Sequence, residues 1–183
     1  MRREPRCKTL VFDLETQYLA DDVGGWGHIR DMRMSVAVTL CADCGRFTTY
    51  REQDVESLIA ALNAADLVIG YNIVRFDYEV LRGYTFLTVR EGMPTLDLMI
   101  PLSRTLGFRP KLEDLASATL GVGKLGNGLD AVRWFREGDL ERLAEYCKQD
   151  VQVTYDLYKF GKEHGYVLLR DRYRGDMRVP VNW

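Results

Sequence analysis

A short apolar segment near the start decides the fold of this chain: residues 9–15 have the sequence TLVFDLE. Side chains alternate along a β-strand, so Asp13 and Glu15 share one face of the predicted strand while Phe12 and Leu14 occupy the other. Two neighbouring carboxylates on an apolar strand are costly unless they are protonated, paired or bound to a cation. The strand end could also place both acids in water, so this segment alone leaves a metal site and a solvated pair open.

Alternating strand and helix signals follow this segment, with no internal repeat and no low-complexity linker. Period-two patterns and turn residues predict further strands at residues 34–41, 47–51, 67–70 and 95–98. Cap residues and helical patterns predict helices that begin at Asp54 and near Phe76, and helices over residues 112–120 and about 139–161. Three antiparallel strands followed by strand–helix–strand units predict an α/β fold with a mixed central sheet flanked by helices.

The composition of the 183 residues is that of an ordinary folded globule, with 46% apolar and 28% charged residues. A formal net charge of -2 gives no broad basic surface of the kind found on many proteins that coat DNA. No apolar run is long enough to span a bilayer, and acids interrupt any signal-peptide core, so we expect no membrane association and a cytoplasmic location. The histidines, His28 and His164, lack ligand spacing, which argues against a His-built zinc enzyme or a Ser-His-Asp hydrolase.

The four cysteines are expected to be reduced thiols, because the chain shows no secretory signal. Cys41 and Cys44 form a lone Cys-x-x-Cys pair at a predicted hairpin turn. Zinc would require two more ligands, and Cys7 is the one plausible helper nearby. Incidental thiols in a hairpin are the preferred interpretation, and whether the pair binds anything stays open.

A second acidic element follows the predicted strand at residues 67–70, where the sequence continues YNIVRFDYEVL. Asn72 lies in the loop and Asp77 in the first turn of the next helix. An acid at that position could simply interact favourably with the helix dipole. The ends of strands in open α/β sheets are also where ligands bind, which favours a functional role.

A third element lies on the long helix predicted at residues 139–161. Tyr146 and Asp150 are four residues apart, so they lie one above the other at the edge of its apolar stripe. A carboxylate among apolar neighbours requires a partner, and a metal ion would supply one. The structural alternative is a Tyr–Asp hydrogen-bonded pair at the helix surface.

Three further charged residues have a plain structural interpretation beside a functional one. Asp97 follows a predicted strand and is a fifth candidate acid, although a cap for the helix that begins near Met99 is the better explanation. Lys111 and Lys124 lie in predicted loops that could face a substrate phosphate, whereas exposed lysines are commonly just solvated.

Taken together, the three elements resemble the exonuclease motifs of the DEDD superfamily, in its Tyr-containing branch. The motifs are Asp-x-Glu, Asn-x3-Phe-Asp and Tyr-x3-Asp, and the chain has them in this order between residues 9 and 160. The sequences of these motifs are similar to those of the proofreading exonuclease domain of family B DNA polymerases and of stand-alone ribonuclease-H-like nucleases found beside helicases. The His-containing branch is excluded, because Glu145 stands where that branch has its histidine.

The resemblance implies a ribonuclease-H-like three-layer α/β/α fold with three antiparallel strands followed by parallel strands. The resemblance covers about residues 9–160, and we expect a single exonuclease domain over residues 1–183, with this core followed by a basic C-terminal tail at 161–183. The implied activity is 3′–5′ exonucleolytic hydrolysis of single-stranded DNA or RNA ends to nucleoside monophosphates, with a helicase or another nucleic-acid enzyme as a partner. The alternative is a non-catalytic nucleic-acid-binding or helicase-accessory module that retains the fold.

The resemblance also implies a role for each site residue. Two Mg²⁺ or Mn²⁺ ions would be held by the four acids, which are Asp13, Glu15, Asp77 and Asp150. Asp13 would bridge both ions, and Tyr146 would hydrogen-bond the attacking water. Contacts with the strand end would come from Thr16, Asn72 and Phe76.

Overall fold

The structure is a computed structural model that describes residues 7–84, 92–123, 126–171 and 175–183. Its main sheet has five strands, which are β1 (Thr9–Thr16), β2 (Met34–Cys41), β3 (Phe47–Arg51), β4 (Leu67–Gly70) and β5 (Thr95–Asp97). The strand order is β3-β2-β1-β4-β5. The pairs β1–β2 and β2–β3 are antiparallel, whereas β1–β4 and β4–β5 are parallel. The mixed sheet expected from the sequence is therefore confirmed.

Helices cover both faces of this sheet and complete the expected three-layer α/β/α arrangement. They are α1 (Val55–Ala64), α2 (Asp77–Leu81), α3 (Met99–Leu106), α4 (Leu112–Leu120), α5 (Gly128–Glu137) and α6 (Leu140–His164). Phe12 and Leu14 of β1 pack in one core cluster with α1 and α2, whereas Val11 packs in the other with α3 to α6. The predicted alternation along β1 is thus confirmed. None of the helices in the described part of the chain is long and apolar enough to cross a membrane.

Two regions differ from the prediction. Helix α5 was not expected, because it begins at a glycine; its start is stabilised by Asn127, whose side chain accepts hydrogen bonds from the amides of Leu129 and Asp130. The segment expected to be a basic tail contains the end of α6 and an antiparallel hairpin of β6 (Tyr166–Asp171) and β7 (Gly175–Pro180). Apolar side chains of both strands are buried in the main core, so these residues are an integral part of the fold.

The expectation of four reduced thiols is wrong for two of the cysteines. Cys7 and Cys41 form a disulfide, while Cys44 is exposed and free and Cys147 is buried. The Asp43 carboxylate accepts hydrogen bonds from the amides of Lys8 at 2.7 Å and Thr9 at 3.1 Å. These bonds tie the start of β1 to the turn after β2, which places Cys7 beside Cys41 rather than leaving Cys41 to pair with Cys44.

Candidate active site

The candidate site lies where strand β1 extends beyond its parallel neighbour β4. The two strands pair only from Thr9 to Val11 on β1, so the following residues project past the end of β4. A cleft of about 680 Å³ opens at this place, and Glu15 and Asp150 contribute to its lining. A cleft at the carboxyl ends of parallel strands is the usual ligand position in an open α/β sheet.

Three carboxylates from two elements converge at the edge of this cleft, and two of them line it. Asp13 and Glu15 come from the face of β1 that packs against α6, and Asp150 comes from α6 itself. One carboxylate oxygen of each lies within 4.8 Å of the others, and all three side chains are half-buried. The helix is fixed over the strand at this point because the Cys147 thiol lies 3.4 Å from the Asp13 carbonyl oxygen. Residues separated by more than 130 positions therefore form one acidic cluster.

Asp77 lies beside this cluster rather than within it. It is the first residue of α2 and is only 2% exposed, and its Oδ1 accepts a hydrogen bond from the Leu14 amide at 3.0 Å. Its charge nevertheless interacts with Asp13 and Glu15 and raises the pKa of both carboxyls. Of the four predicted acids, the structure thus brings three into mutual contact and holds the fourth next to them.

Burial and mutual repulsion disfavour the ionised forms of these acids. Burial, followed by the neighbouring carboxylates, raises the pKa of Asp13 and of Glu15 well above its usual value. Burial also raises the pKa of Asp77 to about 8 and that of Asp150 to about 6. Within the described ranges, no lysine or arginine forms an ion pair with any of the four. A desolvated cluster of carboxylates without a cationic side chain fits divalent metal ions, whose preferred ligands are carboxylate oxygens.

Tyr146 is positioned by the aromatic packing of α5 and α6. Burial, followed by the charges of Glu15, Asp150 and Asp13, raises the pKa of Tyr146 above its usual value. Its ring makes an edge contact with Trp134, at a centroid distance of 5.6 Å. Tyr146 and Asp150, which the four-residue spacing places one above the other on the helix, both line the cleft. A tyrosine that stays protonated can donate a hydrogen bond, but it is a poor general base near neutral pH.

Two of the three predicted substrate contacts line the cleft, and one does not. Thr16 is buried and its hydroxyl donates to the Tyr18 carbonyl at 2.9 Å, while Phe76 is half-buried beside Asp77; both line the cleft. Asn72 is outside the lining, and its side-chain oxygen accepts a hydrogen bond from Arg109. The side chain of Asn72 thus bonds within the loop region after β4, whereas Thr16 and Phe76 line the cleft.

Asp97 has the capping role that the sequence favoured. The carboxylate is buried and accepts hydrogen bonds from the amides of Asn72 at 2.7 Å, Val74 at 3.1 Å and Met99 at 3.0 Å. It therefore fixes both the start of α3 and the loop that precedes Asp77. Of the two lysines considered, Lys111 lines the cleft and is exposed, and Lys124 lies outside the described residues.

One prominent side chain of the cleft was missed in the sequence. Trp26 is 71% exposed and lines the cleft that contains Glu15 and Asp150. It lies between β1 and β2, at the start of a short 3₁₀ helix (Trp26–Asp31), in a segment whose sequence shows no strand or helix pattern. The available signal was an aromatic residue flanked by two glycines, Gly25 and Gly27. A segment without strand or helix periodicity gives such a side chain no core-facing position.

Comparison with protein families agrees with this geometry. The profile of the RNase H superfamily matches residues 10–160, and the chain belongs to this superfamily. The comparison with curated proteins gives no match. Membership indicates a nuclease-type activity on nucleic acids, and the RNase H-like fold typically binds divalent metal ions, for which Asp13, Glu15 and Asp150 are the available ligands.

Proposed function

We propose that this protein is a metal-dependent 3′–5′ exonuclease that hydrolyses phosphodiester bonds at single-stranded ends and releases nucleoside monophosphates. The observation that carries the proposal is the convergence of Asp13, Glu15 and Asp150 within 4.8 Å, with Asp77 held beside them. Membership of the RNase H superfamily supports the nuclease class. The Tyr-x3-Asp spacing on α6 supports the exonuclease branch, because Tyr146 and Asp150 line the same cleft.

The acids fit a pair of Mg²⁺ or Mn²⁺ ions. Two such ions, bound about 4 Å apart, supply water activation and stabilise the leaving oxygen of a phosphodiester. Asp13 is central among the four acids, since its pKa is raised by Asp77, Glu15 and Asp150 together, and this position suits a bridging ligand. Glu15 and Asp150 would complete one ion site. Asp77, which is held beside the cluster by the Leu14 amide, would contribute to the second, directly or through water.

Tyr146 would orient the attacking water by a hydrogen bond. The raised pKa of Tyr146 keeps its hydroxyl protonated at neutral pH, so this residue supplies a donor and does not remove the proton. Asp150 follows one turn later on α6 and lines the same cleft. A Tyr146→Phe variant would therefore lose the orienting group while keeping the ring packed against Trp134.

The size and charge of the site favour a short strand end over a long duplex. A cleft of about 680 Å³ is in the range of pockets that hold small ligands, roughly 300–1,000 Å³. The formal net charge of -2 argues against an extended phosphate-binding surface. We therefore propose that Thr16 and Phe76 contact the last nucleotides of a single strand. Processive action or targeting to longer substrates would require a partner, such as a helicase.

The test uses single-stranded oligonucleotides that carry a label at either end, with Mg²⁺ or Mn²⁺. We expect the first product of a 3′-labelled strand to be the labelled mononucleotide, and a 5′-labelled strand to shorten one nucleotide at a time. A labelled mononucleotide as the first product of the 5′-labelled strand would contradict the polarity, and cleavage of a circular strand would indicate an endonuclease. Running DNA and RNA strands in parallel determines the preferred nucleic acid.

The variants Asp13→Ala and Asp150→Ala test the metal site, with Glu163→Gln as a matched control. Glu163 is an exposed acid on the same helix as Asp150 and lies outside the cleft. We expect both alanine variants to lose cleavage and calorimetric Mn²⁺ binding, and the control to keep both. Mn²⁺ binding by the wild type without any cleavage would favour the alternative, a non-catalytic nucleic-acid-binding or helicase-accessory module. Mn²⁺ binding that survives both alanine substitutions would exclude the proposed metal site.

A further inference from the structure

The cleft exposes a large aromatic side chain that the proposed chemistry does not use. Trp26 is the most exposed of the large apolar residues in the described part of the chain, at 71%. It lines the same cleft as Glu15 and Asp150. A tryptophan side chain has a large apolar surface that is stabilised by burial. A largely exposed ring beside a candidate active site therefore indicates that a ligand covers it.

The segment that carries Trp26 is held in place from two sides. Arg136 of α5 forms an ion pair of 2.6 Å with Asp22, just before the tryptophan. Arg30, just after it, pairs with Glu79 of α2 at 3.1 Å. Gly83 lies so close to the Arg30 carbonyl oxygen that an added Cβ would be only 2.2 Å from it. Trp26 is therefore presented by a fixed loop, which lowers the entropy lost when a ligand binds to its ring.

A second ring of the cleft lies next to Trp26 without covering it. The centroids of Trp26 and Phe76 are 6.3 Å apart, and the ring planes are inclined by 60°. The two rings touch at an angle, so they do not stack face to face on one another. Phe76 directly precedes Asp77, which connects this aromatic pair to the acidic cluster. Both rings line the cleft, and the exposed Lys111 in the same lining is a cation that could meet a phosphate.

Resting on the proposed nuclease function, we propose that Trp26, with Phe76, is the base-binding platform that grips the unpaired bases of the strand end. Every nucleobase has an aromatic face, so stacking on Trp26 selects unpaired bases without selecting their identity. Bases that are stacked inside a duplex are not free to occupy this platform. Trp26 thereby makes the site specific for single strands, while the acids perform the chemistry.

The main test measures binding separately from cleavage. Asp13→Asn protein, which is expected not to cleave, is titrated with a 5′-fluorescent single strand and anisotropy is recorded. Adding Trp26→Ala is expected to weaken binding roughly 5- to 100-fold, and Trp26→Phe to restore most of the affinity. Phe108→Ala is the matched control, because Phe108 is an aromatic residue 54% exposed outside the cleft lining. Unchanged affinity in Trp26→Ala, or equal losses in both variants, would overturn the proposal.

A strand with abasic terminal positions identifies the group that the ring contacts. We expect this strand to bind protein with Trp26 as weakly as the normal strand binds Trp26→Ala, with no further loss when both changes are combined. Additive losses would mean that Trp26 does not contact these bases. In the cleaving protein, Trp26→Ala is expected to raise KM with kcat changed little, as for a residue that binds the strand away from the reacting phosphate.

Tryptophan fluorescence supplies a measurement that does not depend on the stability of the alanine variant. Of the three tryptophans, Trp134 is buried and Trp183 packs against Gly161, so Trp26 alone is presented in the cleft. Strand binding should quench the emission of Asp13→Asn protein and of its Trp183→Phe version, but not of its Trp26→Phe version. Quenching that persists in Trp26→Phe would contradict the proposal. Absence of cleavage by the wild type would contradict the exonuclease proposal alone, since binding and quenching are measured in protein that does not cleave.

Discussion

The backbone amide of Leu14 donates a hydrogen bond of 3.0 Å to the Asp77 carboxylate, and this bond joins strand β1 to the first residue of α2. The residues on either side of Leu14, Asp13 and Glu15, supply two of the three acids of the neighbouring cluster. The bond therefore fixes the position of the fourth acid relative to the other three. Asp77 therefore has two roles. Its carboxylate accepts the bond that holds α2 against β1, and its negative charge acts on Asp13 and Glu15.

Asp77→Asn should separate these two roles, because an amide oxygen can still accept from Leu14 while the negative charge is lost. We expect activity with Mg²⁺ to fall roughly 10- to 100-fold, with the melting temperature unchanged or raised. Asp77→Leu removes the acceptor as well and leaves the buried Leu14 amide unpaired, at a cost of about 1–3 kcal/mol in the free energy of unfolding. Thermal melts beside rate measurements test both. Equal destabilisation by the two variants would show that the hydrogen bond is not maintained.

The metal-free protein should become less stable as the pH rises from about 4 to 8. The folded-state pKa of Asp150 is raised to about 6 and that of Asp77 to about 8, whereas an unfolded aspartate titrates near about 3.9. The folded state thus binds more protons than the unfolded state in this window, so the free energy of unfolding falls as the pH rises. Melts in a chelating buffer at several pH values measure this slope.

Mg²⁺ or Mn²⁺ should reverse this trend, because a bound cation favours the ionised carboxylates. The stabilisation by metal is therefore expected to be larger at pH 8 than at pH 5. Asp150→Asn removes one of the repelling charges, so its metal-free form should be more stable than the wild type at pH 8 and respond less to metal. A metal-free wild type whose stability increases from pH 5 to pH 8 would contradict the electrostatic description of the cluster.

The acidic site was predicted in two steps: local patterns identified candidate acids, and the resemblance to the DEDD motifs joined them into one site. The alternation along β1 and the four-residue spacing of Tyr146 and Asp150 each determine which side chains share a face. The fold class then determines that the acidic face of β1 packs against the face of α6 that carries Tyr146 and Asp150. Asn72 was assigned to the strand end by resemblance, and the structure instead places it under Arg109, because the loop conformation depends on the distant Asp97. Asn72 and Asp97 are 25 residues apart in the sequence, so no local pattern indicates their hydrogen bond.

The features that were missed depend on long-range register or on isolated side chains. The pairing of Cys7 with Cys41 follows from the β1–β2 register and from the bonds of Asp43 to the start of β1, which no spacing rule encodes. Trp26 stands alone in a loop, where periodicity carries no information. In the hairpin at the end of the chain, apolar residues alternate at Val167 and Leu169 as in a strand. The charged residues that follow suggested a basic tail instead.

The disulfide should contribute measurably to stability. It joins residues separated by 34 positions, and closing a loop of this size removes entropy from the unfolded chain worth about 3–4 kcal/mol. Cys7→Ser is expected to lower the free energy of unfolding by up to this amount, and a reductant should lower the melting temperature of the wild type but not that of Cys7→Ser. Cys44→Ser is the matched control, since Cys44 is exposed and free. Equal melting temperatures of wild type and Cys7→Ser under oxidising conditions would contradict the pairing.

The C-terminal hairpin should behave as part of the core in a side-specific way. Leu169 is 5% exposed and belongs to the cluster that packs under α6, whereas the neighbouring Leu168 points away from that cluster. Leu169→Ala is therefore expected to cost about 2–5 kcal/mol in the free energy of unfolding, as for other buried leucines. Leu168→Ala should cost clearly less, because its backbone bonds to the Thr119 hydroxyl remain in this variant. Denaturant unfolding of both variants measures the difference. A solvated tail would leave the two variants as stable as the wild type, and that outcome would contradict the packing of the hairpin on the core.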